Sequence, residues 1–197
     1  MEDFLSLVFN LIFQPIFTTN IFLKKYLMPH PDLSRVPQFY HNYISLVKED
    51  NLMKAFKTNT NSFISFLESI PAEKHDYRYA DEKWSIKEII QHLVDAERVF
   101  SYRALRFGRK DPTHLPGFNE NLFARHAKAD KRNWNDLVEE FKAVRKSTEL
   151  LFASFDNEQL DAEGISNDAS VYVMGIGFIC VGHCYHHQKI IQERYLS

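Results

Sequence analysis

Three imidazoles crowd into five residues near the end of the chain, in Gly182-His183-Cys184-Tyr185-His186-His187. On a helix, residues four apart stack on one face, so His183 and His187 would lie within reach of a single metal ion. Such a pair also arises by chance, and most of the nine histidines are expected at the surface or hydrogen-bonded at its boundary. The helical wheel sharpens the reading. Advancing about 100° per residue, Ile176, Ile179, Cys180, Ile190 and Ile191 share one apolar arc, with His183 and His187 in its middle. Burying two imidazoles there without partners would be costly. His186 falls at the edge of the arc, as a neighbour of the ligands, a surface residue or an alternative ligand. A third ligand is expected from a facing helix, and His92, between Ile89 and Ala96, fits; His75, His114 and His126 lie in or near loops and fit less well. Three neutral imidazoles with an open position make a reactive, zinc-type site, whereas a closed structural site more often contains paired thiolates. Cys180 and Cys184 read as small buried hydrophobes. Four apart on a helix, their β-carbons would be about 5–6 Å apart, against the ~4 Å of a disulfide, so they are expected as free thiols in a reducing compartment. Cys184 stands where the helical metalloprotease pattern H-E-x-x-H has glutamate, which disfavours a peptidase.

These residues need helices to carry them. Ser85-Ile86-Lys87-Glu88 is a capping box. It starts a second helix expected to run through Ile89, Leu93, Ala96, Phe100 and Phe107 and to stop at Gly108. A first helix is expected from about Tyr40 to Ser69, with a break near Asp50, ended by Pro71. Residues Gly108 to Arg132 form a link of some 25 residues, with a short helix over Asn119 to Lys128. That length allows a crossover along the bundle, so that the next helix starts parallel to the last. Helix three is expected over Trp134 to Phe155 and helix four over Val171 to Leu196, joined by a loop from Asn157 to Asp168.

Composition agrees with one all-α domain. The chain has 197 residues, 45% hydrophobic and 25% charged, with six glycines. A formal net charge of −2 provides no positive field to draw it onto nucleic acid or anionic lipid. Residues 1–28 are set apart. Phe4 to Leu23 carry no charge, but Gln14, Pro15, Thr18, Thr19 and Asn20 interrupt the stretch. The segment is read as an extension outside the domain, a leader or a start upstream of a natural Met28, with a membrane anchor as the less favoured alternative. Were it an anchor, the positive-inside rule applied to Lys24 and Lys25 would leave the domain in the cytoplasm. The domain itself is expected over residues 29–197.

Trp84-Ser85-Ile86-Lys87-Glu88, His92-Leu93-Val94-Asp95-Ala96-Glu97-Arg98, Leu115-Pro116-Gly117-Phe118 and the His183…His187 pair, in that order, resemble the DinB-like superfamily with its YfiT-like proteins. The likeness covers about Asn59 to Tyr195. It implies a four-helix bundle of up-down-down-up topology with a long crossover between helices 2 and 3. It also implies metal ligation by one histidine of helix two and two of helix four, here His92, His183 and His187. Zinc or nickel, a homodimer, and transfer of a low-molecular-weight thiol such as bacillithiol to a small electrophile follow from the same likeness. Metal-dependent hydrolysis of a small ester or amide, and non-catalytic binding, are the other readings. Trp84 and Tyr185 are candidate walls of the substrate cleft, and Asp95, Glu88 and His186 candidates to orient the ligands. No residue is assigned a catalytic role beyond the metal.

Overall fold

The computed structural model describes residues 30–197; the proposed extension over residues 1–28 lies outside them. Seven helices follow in order: α1 (His41–Ile44), α2 (Leu52–Ser69), α3 (Ile86–Gly108), α4 (Glu120–Ala127), α5 (Trp134–Ala153), α6 (Asn157–Asp161) and α7 (Val173–Arg194). A hairpin of β1 (Glu163–Ser166) and β2 (Ala169–Tyr172) precedes α7. The architecture is a four-helix bundle of α2, α3, α5 and α7, in which α2 and α3 each pack between α5 and α7.

Side-chain pairings fix the sense of each helix. Glu97 and Arg98 of α3 meet Arg145 and Glu140 of α5, and farther along Gly108 meets Phe155, so these two run in the same direction. The carbonyl of Trp84, just before α3, accepts from the hydroxyl of Tyr195, just after α7, so this pair runs in opposite directions. Phe56 against Phe152 and Phe63 against Phe141 set α2 antiparallel to α5. The core between the helices is aromatic and aliphatic, with Phe56, Phe63, Phe107, Phe141 and Phe152 all but fully buried. Each such ring contributes roughly 1.5–3 kcal/mol relative to an exposed one.

The capping box at Ser85 is present: its hydroxyl accepts from the Glu88 amide at 3.3 Å and the Glu88 carboxylate from the Ser85 amide at 2.7 Å. The break near Asp50 and the end of α3 at Gly108 fall where expected, whereas the segment after α5 differs. The first helix is split, because Asn51 caps a new start by accepting from the Lys54 amide, and α1 is only one turn. At the end of α3, Gly108 stays helical beneath the Phe155 ring, and Lys110 takes the left-handed conformation. The segment after α5 is not a plain loop: it holds α6 and the hairpin, so Val171 and Tyr172 are strand and α7 begins at Val173. Asn167 and Asp168 form the two-residue turn, both with positive φ (51° and 60°), as a twisted hairpin requires.

The hairpin and the crossover after α3 are joined. The Leu115 amide donates to the Ile165 carbonyl at 2.9 Å, and the Leu115 carbonyl accepts from the Asn167 amide at 3.0 Å. This closes one side of a cleft whose other sides are α1, α3 and α7.

Candidate metal centre

α3 and α7 bring their histidines to one point. His92 lies two turns into α3 and His183 and His187 face it from α7, exposed by only 9, 6 and 9%. Nε2 of His183 is 3.1 Å from Nε2 of His92 and 3.0 Å from Nε2 of His187. One nitrogen from each ring falls within a 4.8 Å cluster, and no cysteine, aspartate or glutamate joins that group among the described residues.

Hydrogen bonding cannot satisfy this arrangement. A ring nitrogen offers either one proton or one lone pair, so Nε2 of His183 can bond one of its two neighbours and not both. A cation accepts all three lone pairs at once. Zinc-type bonds of about 2.0–2.1 Å in tetrahedral geometry separate their nitrogens by roughly 3.3–3.4 Å, close to the spacing found. Burial also favours the neutral ring. It lowers His92 to about 4, partly offset by Glu120, and lowers His183 and His187 well below the ordinary value, with the neighbouring imidazoles adding to the effect. The donor set therefore fits a divalent ion. Nδ1 of His187 is buried without a hydrogen-bond partner among the described residues.

The triad forms the floor of a cleft of about 480 Å³. The Trp84 ring stands 4.8 Å from that of His92, and Tyr43 and Phe100 stand 5.2 and 5.9 Å from His183. Tyr40, Arg103, Phe118, Glu120 and the turn residue Asn167 are among the other residues of the walls. Tyr43 reaches the site because α1 crosses α7 at Gly182, where a β-carbon would lie 2.2 Å from the Tyr43 carbonyl oxygen. Only glycine permits that approach.

The other expected site residues are spread more widely. Trp84 lines the cleft, but Tyr185 faces a separate groove with Ser62, Gln188 and Lys189, which corrects its expected place as a cleft wall. His186 is half-buried against the Tyr43 ring at 4.7 Å and outside the triad. Asp95 accepts from Gln91, and Glu88 is held by the Ser85 amide and Arg78. His75 stacks on Trp134, while His114 and His126 are exposed. Cys180 and Cys184 are free and buried, and burial pushes the Cys184 thiol up to about 12. Sequence reasoning passed over Arg103, although a charged residue on the apolar stripe of Ala96, Phe100 and Phe107 was a usable signal. Tyr40 and Tyr43 carried none.

The model of the DinB superfamily matches residues 55–191, more than half of the chain and including all three histidines. The chain belongs to the DinB superfamily. No curated protein sequence matches it. Among solved structures, this DinB-superfamily chain is similar to YfiT from Bacillus subtilis, described as a probable metal-dependent hydrolase with an unusual four-helix bundle topology. The TM-score is 0.62 and the identity 14%, over 72% of this chain and 82% of YfiT. It is also similar to a mycothiol-dependent maleylpyruvate isomerase, with a TM-score of 0.60 and 10% identity, over 70% of this chain and 58% of the isomerase. At these identities the likeness is one of fold. No helix among the described residues is long and apolar enough to cross a membrane.

Proposed function

We propose that residues 29–197 form a metal-dependent thiol transferase in which His92, His183 and His187 hold one divalent ion, zinc or nickel. The observation that carries this reading is the meeting of three Nε2 atoms on the floor of a cleft sized for a small molecule. A divalent ion held there would supply Lewis acidity, stabilising the thiolate of a low-molecular-weight thiol such as bacillithiol.

The chain's own residues supply the rest. Burial keeps the imidazoles unprotonated, with lone pairs available at neutral pH. Trp84, Tyr43 and Phe100 exclude water around the reacting atoms, and the cleft holds thiol and electrophile together. The sulfur–carbon bond forms as the S–H proton is released to solvent, and the leaving group departs with its electron pair. The likeness to the isomerase, whose description names a thiol, supports this reading. The likeness to YfiT supports a second one, hydrolysis of a small ester or amide. That reaction calls for a base beside the attacking water, and Glu120, the one carboxylate lining the cleft among the described residues, lies outside the histidine cluster. Thiol transfer is therefore preferred. The two free thiols support a reducing, cytoplasmic setting, and family likeness favours a homodimer.

The first test is elemental analysis of freshly purified protein beside His183→Ala and His186→Ala. Zinc or nickel near one equivalent is expected in the first and last, and none in His183→Ala. Loaded protein is then mixed with monochlorobimane and bacillithiol, cysteine or glutathione. Adduct formation above the metal-free background supports transfer. Ester or amide cleavage without any thiol would replace it with hydrolysis, and a metal-free wild-type protein that gains no thermal stability from added zinc or nickel would sink both.

A further inference from the structure

The cleft above the histidines carries a positive charge that metal binding leaves unused. Arg103 lies on α3 eleven residues beyond His92. At about 100° per residue this is three turns on and only some 20° round, so both side chains enter the same cleft from points about 16 Å apart along the axis.

Arg103 is 4% exposed. Its Nη2 donates to the Pro116 carbonyl at 3.0 Å, and the Tyr40 hydroxyl lies beside it. Among the described residues no carboxylate comes within 4.0 Å of its guanidinium, although the exposed Glu120 lines the same cleft. Arg145, the other deeply buried arginine, shows the contrast: its guanidinium grips both oxygens of Glu97 at 2.7 to 3.0 Å. A guanidinium has five N–H donors, so a buried one facing only neutral oxygens has given up water without gaining a counter-charge.

We propose that Arg103 receives the carboxylate of a small organic acid whose far end reaches the three histidines. The planar guanidinium matches a carboxylate with two parallel hydrogen bonds. Arg103 is the one Lys or Arg lining the cleft among the described residues, which suits a single negative charge better than the double charge of a phosphate. Glu120 strengthens that choice, because it repels a dianion more than a monoanion. The rings of Tyr40, Phe100 and Phe118 between and around the two ends suit an apolar stretch separating the acid from the reacting carbon. The assignment of the reacting end rests on the metal reading; the anion contact does not.

Binding of 3-phenylpropionate and of its amide, read by tryptophan fluorescence and calorimetry, tests the contact. The measurement is made on metal-loaded and chelator-stripped protein, with Arg103→Met and Arg103→Lys. The acid is expected to bind at least ten-fold more tightly than the amide, with the preference lost in Arg103→Met, partly kept in Arg103→Lys and insensitive to the metal. Equal binding of acid and amide would overturn the proposal, as would a preference that survives Arg103→Met and disappears with the metal, since the anion would then belong to the ion. A preference seen only after Glu120→Gln would also overturn it, by making Glu120 the natural partner of Arg103. If Arg103→Met fails to fold, the acid-to-amide ratio in Arg103→Lys against wild type decides the matter: a reduced ratio supports the contact, and a ratio unchanged from wild type rejects it. Failure of the metal reading with the Arg103-dependent preference intact would leave the anion site standing alone.

Discussion

His92, His183 and His187 are imidazoles whose protonation the fold opposes. For His92 the folded value is about 4 against an ordinary 6.5, and burial is the main cause. In metal-free protein the unfolded chain therefore binds a proton that the folded chain refuses at pH between those values. Stability from this source is complete above about pH 6.5 and is lost as pH falls towards 4. The loss is on the order of 3 kcal/mol from His92, and His183 and His187 act in the same direction. Urea unfolding of chelator-treated protein from pH 7 to 4 should show the midpoint falling through that window, and falling less steeply in His92→Gln. An identical slope in that variant would contradict the assignment. The types and spacing of these histidines were legible in the sequence. Their depressed basicity was not, because it comes from the neighbours that fold around them.

At the scale of single elements, the contact between α1 and α7 is the tightest point near the site. In Gly182→Ala the new β-carbon would lie 2.2 Å from the Tyr43 oxygen and 2.4 Å from its carbonyl carbon, so α1 must lift away and take Tyr43 out of the cleft. The expected cost is about 1–3 kcal/mol, the range for overpacking a well-filled contact. A lower melting temperature and a more accessible Tyr43 to chemical labelling are expected. Wild-type stability in the variant would show that the two helices are not so closely held. Local signals read well here: Ser85 and Glu88 announced the start of α3, and Trp134 the start of α5. The hairpin was missed because its strands are four residues each, too short for alternation to stand out, and its turn is Asn167-Asp168 with no glycine. The break between α1 and α2 is expected near Asp50. Its extent depends on Asn51 capping α2 and on α1 resting on α7.

Across the whole molecule, three bundle helices are tied through one buried polar cluster. Arg145 of α5 bonds both oxygens of Glu97 on α3 and, at 2.6 Å, the side-chain oxygen of Asn59 on α2. Arg145 is fully buried and Glu97 is 4% exposed. Glu97→Ala would strand the guanidinium without a counter-charge, and a loss of about 3–5 kcal/mol is expected from removing one partner of such a pair. Chemical denaturation measures it directly, and a loss below about 1 kcal/mol would mean that water or another group takes the place of Glu97.

The helical class, the capping of α3, the histidine pair on one face of α7 and the free cysteines follow from the sequence alone, because each depends on residues within a few turns of one another. Tertiary structure decided what depends on which elements are neighbours. The packing of α3 against α7 brings His92 to His183 and His187 across 91 residues of chain. The docking of α1, the crossover and the hairpin around them set Tyr40, Tyr43, Arg103 and Asn167 into one cleft. Periodicity records which face of a helix is buried; only the packed core determines what that face meets.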